Sequence, residues 1–205
     1  MRALRTPIDL SERLTEKMEK KPRKSNGWRA AGQHLKTWDT PGLLGLIKEL
    51  YSFSAGNRDF IDARTGGGGE ALERYRAMIV EQFFPKRGYG KLKLGVARKA
   101  IRDYRKATGD IAGAAELMMT YVENGAEFTH TYGDIDERFY NSIESVLYEL
   151  SRLLTGEAID LYPQFRDRLA ETKRLASRVG WGFSDYVAEV VQDLADKLGD
   201  RSSGI

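Results

Sequence analysis

The chain has 205 residues, 41% of them apolar and 31% charged, with a net charge of +3 and no cysteine. That length can build a full core in one domain, and the missing cysteine excludes disulfides, thiolate zinc sites and cysteine nucleophiles. No run approaches the roughly 18 apolar residues of a membrane-spanning helix, and no apolar stretch follows the N-terminal basic residues as in a signal peptide; a cytoplasmic location and no membrane partner are the expectation.

Apolar spacing is helical from end to end. Leu10, Leu14 and Met18 form a short stripe behind Asp9 and Glu12, which read as a capping box. The run from Lys20 to Gly27 has no apolar residue and is punctuated by Pro22 and Gly27, so residues 1–27 are expected to be a basic arm and linker. Trp28, Ala31, Leu35 and Trp38 restart the pattern. Thr40-Pro41 reads as an N-cap and N1 proline ahead of Leu43 to Tyr51, and Asn57 as the cap of a short helix to Arg64. Gly66 to Gly69 should break the chain. Leu72, Tyr75, Ile79 and Phe83 follow, stopped before Pro85.

Leu94, Ala97, Ile101 and Tyr104 line one face of the next helix. Asp110 opens a nearly all-apolar helix (Ala114, Leu117, Met118, Met119, Tyr121, Val122) that reads as the buried central element. Asp134 and Glu137 suggest another capping box before Phe139, Ile143, Val146, Leu150 and Leu153. Leu161, Phe165, Leu169, Thr172, Ala176 and Val179 mark a further helix. Ser184 is expected to cap the last, with Val187, Val190, Val191, Leu194 and Leu198 inward. Alternating strand patterns are missing. The fold class is therefore all-α, about eight helices in an irregular bundle or helical-repeat-like stack. Residues 28–199 would form one domain and 200–205 a tail.

Charge is sorted along this frame. Residues 86–106 hold nine Lys/Arg and one acid, a net +8, whereas residues 107–205 carry −9. Lys99, Arg102 and Lys106, with Arg98 and Arg105 beside them, share one face of the helix opposite its apolar stripe. The loop before it adds Lys86, Arg87, Lys91 and Lys93 around Gly88 and Gly90, whose small size lets backbone approach a ligand. Tyr89 lies among these cations and is suited to stacking on a base. Such a surface suits phosphate contacts and salt-dependent binding. The competing reading is a solvated face that pairs with the protein's own acidic half. No helix-turn-helix, RNA-recognition or zinc-finger signature accompanies the basic residues.

Other constellations carry less chemistry. Glu123, Glu127 and His130 contain one Glu-x-x-His unit, but a carboxylate-bridged metal site needs a second, and His34 does not supply it. Asp134, Asp136 and Glu137 lack the spacing of a calcium loop and read as caps. The four glycines precede no Gly-Lys-Ser/Thr. Aromatics and acids from Thr129 to Tyr140 read first as buried packing between two helices and second as a partner surface. No catalytic residue, metal ligand or cofactor is assigned.

The segments Leu46-Ile47-Lys48-Glu49-Leu50-Tyr51, Asn57-Arg58-Asp59-Phe60, Phe83-Phe84-Pro85-Lys86-Arg87-Gly88 and Tyr132-Gly133-Asp134-Ile135-Asp136 resemble an uncharacterised family of small bacterial helical proteins, over about residues 43–155. The resemblance implies an all-helical fold and brings no assigned activity, catalytic residue or cofactor. The expected function is non-catalytic binding of an anionic partner through residues 86–106, nucleic acid ranking ahead of an acidic protein. A protein–protein adaptor or self-associating scaffold, with opposite charges matched between subunits of a homo-oligomer, ranks second. A metal-dependent enzyme is a distant third.

Overall fold

The computed structural model describes residues 27–65, 68–177, 180 and 182–199. The expected N-terminal stripe at 10–18, nearly all of the basic linker, Val179 and the tail lie outside them. The described residues hold nine α-helices, one 3-10 turn and no strand, so the chain is all-α. It divides into two compact units, residues 1–49 and 50–205.

In the first unit, α1 spans Trp28–Leu35 and α2 starts at Thr40, running across the boundary to Phe53. The cap of α2 is Asp39 and not Thr40, because the Asp39 Oδ1 accepts the Gly42 N–H at 2.9 Å. Neither helix has a buried residue, although α2 carries Leu43, Leu44, Leu46, Ile47, Leu50, Tyr51 and Phe53.

The second unit holds α3 (Ala55–Arg64), α4 (Gly68–Phe83), α5 (Leu94–Thr108), α6 (Ile111–Tyr132), α7 (Glu137–Leu154), a 3-10 turn (Ile159–Leu161), α8 (Tyr162–Ala176) and α9 (Phe183–Leu198). Helix α6 is its axis and packs against α4, α5, α7 and α8, while α9 closes on α7 and α8 and α3 covers α4 and α5. Thirteen of the 22 residues of α6 are buried, which fits its apolar circumference. Small residues let the neighbours close in. A Cβ on Gly125 would lie 2.5 Å from Ile143 Cδ1 of α7, and one on Gly113 would lie 2.2 Å from Tyr104 Oη of α5.

Several helix starts differ from the sequence reading. Ser54 caps α3 by accepting the Asn57 N–H at 3.1 Å, so Asn57 is the third residue in and not the cap. Asp136 caps α7 through the Phe139 N–H at 2.8 Å. Asp134 is occupied elsewhere, accepting from Tyr140 Oη at 3.0 Å and from the Gly180 N–H at 3.1 Å. Helix α9 starts after Gly182, whose φ of 76° turns the chain, and Ser184 lies inside it. Gly68 and Gly69 belong to the first turn of α4, where amides lack helical partners in any case and glycine costs less. Asp110 does open α6, accepting the Gly113 N–H at 3.0 Å.

A charged strap ties three helices together. Arg168 of α8 donates to Glu123 and Glu116 of α6, and Arg76 of α4 donates to Glu116 at 2.8 Å.

Candidate anion-binding surface

Helix α5 exists because its apolar stripe finds partners. Ala97, Ala100, Ile101, Tyr104 and Ala107 are buried, and Gly109, with φ of 68°, ends the helix in the left-handed conformation. Its basic face therefore turns out of the bundle. Where that face meets neighbouring helices, part of its charge is answered. Arg98 donates to Ser145 Oγ at 3.1 Å and Glu149 at 3.4 Å on α7. Arg105 reaches Glu157, just beyond α7, at 2.6 Å. Lys99 pairs with Asp103 one turn along its own helix. Three of the nine cations thus hold acids, two of them acids of the negative second half.

The remaining six are Lys86, Arg87, Lys91, Lys93, Arg102 and Lys106. All are exposed, and none forms an ion pair among the described residues. Four belong to the loop between α4 and α5, and two to the outer face of α5.

That loop is anchored at both ends. Phe83 is buried and its ring meets Tyr121, Phe128 and Phe139 at centroid distances of 5.4, 6.4 and 6.3 Å. Phe84 packs beside Phe128 at 5.8 Å. The chain then returns on itself, and the Leu92 N–H donates to the Gln82 carbonyl at 2.9 Å. Gly90 makes the return feasible, since a Cβ there would lie 2.2 Å from the Phe83 carbonyl oxygen. The close approach at Gly90 is thus to the protein's own backbone. Gly88 has φ of 78° with open space around it, and Leu92 holds φ of 47° while its side chain packs on the core. Between the two glycines, Tyr89 is 88% exposed.

Two concavities flank α5. One, of about 450 Å³, is lined by Arg105, Met118, Tyr148, Glu149, Arg152 and Glu157. The other, of about 470 Å³, lies against α3 and includes Asn57, Asp59, Phe60, Lys99, Asp103 and Lys106. Both mix cations with carboxylates, so neither presents a uniformly positive wall to an anion. Arg152 was not among the residues expected at the site. It lies far from the basic segment in sequence, and no local spacing connects the two.

Some acids of the second half have local partners. Glu123 is held by Arg168 at 2.7 and 2.6 Å, while Glu127 and His130 are exposed at the end of α6. Among the described residues no group of three His, Asp or Glu is placed to hold a metal ion. In the connection from Thr129 to Tyr140, Phe139 and Tyr140 are buried and fix the helix pair, whereas Tyr132 stays 55% exposed. No helix among the described residues is long and apolar enough to cross a membrane. The chain matches no protein-family model, no curated protein and no solved structure.

Proposed function

We propose that this protein is a non-catalytic binder of nucleic acid and that Lys86, Arg87, Lys91, Lys93, Arg102 and Lys106 supply its phosphate contacts. One observation carries the reading. Six exposed cations within 21 residues make no ion pair among the described residues, in a chain whose second half carries nine net negative charges. Were the charge there for internal pairing, acids of that half would be drawn to these side chains as Glu149 and Glu157 are to Arg98 and Arg105. Arg98, Lys99 and Arg105 then serve the surface indirectly, by fastening α5 to its neighbours or to itself. A cytoplasmic setting, where nucleic acid is abundant, goes with this reading.

Six phosphate contacts on a duplex correspond to a salt slope of about −5 in log K against log salt. The test is fluorescence anisotropy of the protein with a labelled duplex and a labelled single strand across a salt series, for the wild type and Arg102→Glu/Lys106→Glu. Among the described residues these two side chains carry no ion pair, so the variant is expected to keep its structure, which circular dichroism checks. Loss of binding in the variant supports the reading. Wild-type protein that binds neither probe at low salt ends it.

A second reading, a self-associating or adaptor protein, rests on α2. Leu44, Ile47, Leu50 and Phe53 are 59, 44, 46 and 84% exposed, and an apolar helix face of that kind marks contact surfaces. Under this reading sedimentation shows a mass that rises with concentration and returns to monomer in Leu44→Asp/Ile47→Asp. A wild type that is monomeric at all concentrations removes self-association.

A further inference from the structure

We propose that the loop at residues 86–93 recognises unpaired bases, so that the protein takes single-stranded nucleic acid in preference to duplex, with Tyr89 as the stacking platform. The proposal rests on the nucleic-acid reading above and sharpens it.

Tyr89 is the most exposed of the large apolar side chains in the described residues, at 88%. Its ring joins none of the aromatic pairs of the bundle, all of which involve other residues. Its hydroxyl makes no hydrogen bond among the described residues. An aromatic ring left in water on a mobile loop would be unremarkable. Here the loop is built: Phe83 and Phe84 anchor one end, Leu92 is hydrogen-bonded to Gln82 and packed on the core at the other, and Gly90 is pressed to the Phe83 carbonyl. A ring presented from such a frame loses little freedom on binding.

The cations around it have the matching arrangement. Lys86 and Arg87 precede Tyr89, and Lys91 and Lys93 follow, all exposed and without ion pairs among the described residues. A backbone tracked by cations with an aromatic ring between them is the chemistry of single-strand grooves, where stacking adds affinity for any base. Duplex does not offer this contact, because its bases are already stacked on one another. Helix α5 packs against α3, α4, α6 and α7, which leaves its outer face, with Arg102 and Lys106, for contacts to a phosphate backbone.

The full-length protein, labelled oligothymidylate of about 15 nucleotides, an abasic strand of equal length and a duplex provide the test. The wild type is expected to bind oligothymidylate at least about tenfold tighter than the abasic strand. Tyr89→Ala should weaken oligothymidylate binding by about tenfold or more, leave abasic-strand binding and the salt slope unchanged, and melt at the wild-type temperature; Tyr89→Trp should retain binding. Lys86→Ala/Arg87→Ala should lower the single-strand salt slope by about 1.4. Unchanged oligothymidylate binding in Tyr89→Ala, equal wild-type affinity for the abasic strand, or tighter binding of duplex overturns this inference and leaves nucleic-acid binding standing. Failure of the wild type to bind any of the three at low salt overturns both, and binding of poly-glutamate alone turns the surface over to an acidic protein.

Discussion

Arg168 grips Glu123 with two parallel hydrogen bonds, Nε to Oε1 at 2.7 Å and Nη2 to Oε2 at 2.6 Å, and gives its third nitrogen, Nη1, to Glu116 at 2.6 Å. The fork geometry orients α8 on α6 as well as attracting it. Replacing Arg168 with Met preserves much of the stem's packing and leaves two carboxylates side by side without their shared cation. We expect a loss of about 1–2 kcal/mol by chemical denaturation, below the ~3–5 kcal/mol of fully buried pairs, because water reaches this one. Arg168→Lys should recover only part of it, since an ammonium cannot make the bidentate contact.

Glu116 gives the same strap a pH signature. Burial alone would push its carboxyl up, but the hydrogen bonds and charges of Arg168 and Arg76 outweigh burial and hold it below the ordinary glutamate range. A carboxyl depressed in the folded state contributes stability that is complete above its unfolded value and disappears as pH falls through its folded value. The melting temperature of the wild type should therefore fall more steeply than that of Glu116→Gln between about pH 5 and pH 3. Parallel curves would show that the strap contributes nothing.

The junction of α5 and α6 predicts a coupled pair of substitutions. Tyr104 Oη donates to Asp110 Oδ2 at 2.6 Å, and burial together with that bond raises the phenol's pKa above its usual range. Gly113→Ala drives a methyl group into the same hydroxyl and should cost about 2–3 kcal/mol. Tyr104→Phe removes one hydrogen bond, for about 1 kcal/mol. The double variant should lose less than the sum of the two, because deleting the hydroxyl vacates part of the methyl's space.

Glu149 and Glu157 compete with any external anion for Arg98 and Arg105. Under the proposed nucleic-acid reading, Glu149→Gln/Glu157→Gln should therefore tighten binding and steepen the salt slope on duplex by up to about 1.8. An unchanged slope in the salt titration would mean that the two arginines lie outside the contact surface.

The sequence made the helices, the central place of α6 and the inward stripe of α5 legible, because each rests on a local period. The caps were less so. Asp134 and Asp136 are equally plausible acids by composition; Asp134 is engaged by the Tyr140 hydroxyl and by Gly180, 46 residues away, and Asp136 caps α7. The same limit applied to the basic face. All nine cations looked equivalent along the helix and loop; the Lys99–Asp103 pair is a local one-turn spacing, but the pairing of Arg98 and Arg105 depends on where Glu149 and Glu157 fall in space. Gly90 looked like a place for a ligand's close approach, yet its neighbour is the carbonyl of Phe83, seven residues back in the same chain.

The hydrogen bond from Leu92 to Gln82 closes the segment between them into a link whose two ends are joined. Whatever occupies positions 86–89 is held outside the bundle, so its chemistry can be exchanged without renegotiating the core. A graft of a different short peptide between Pro85 and Gly90 would be displayed on the same fixed mount. In such a chain the helices set the address of the loop, and the residues of the loop set what is displayed there.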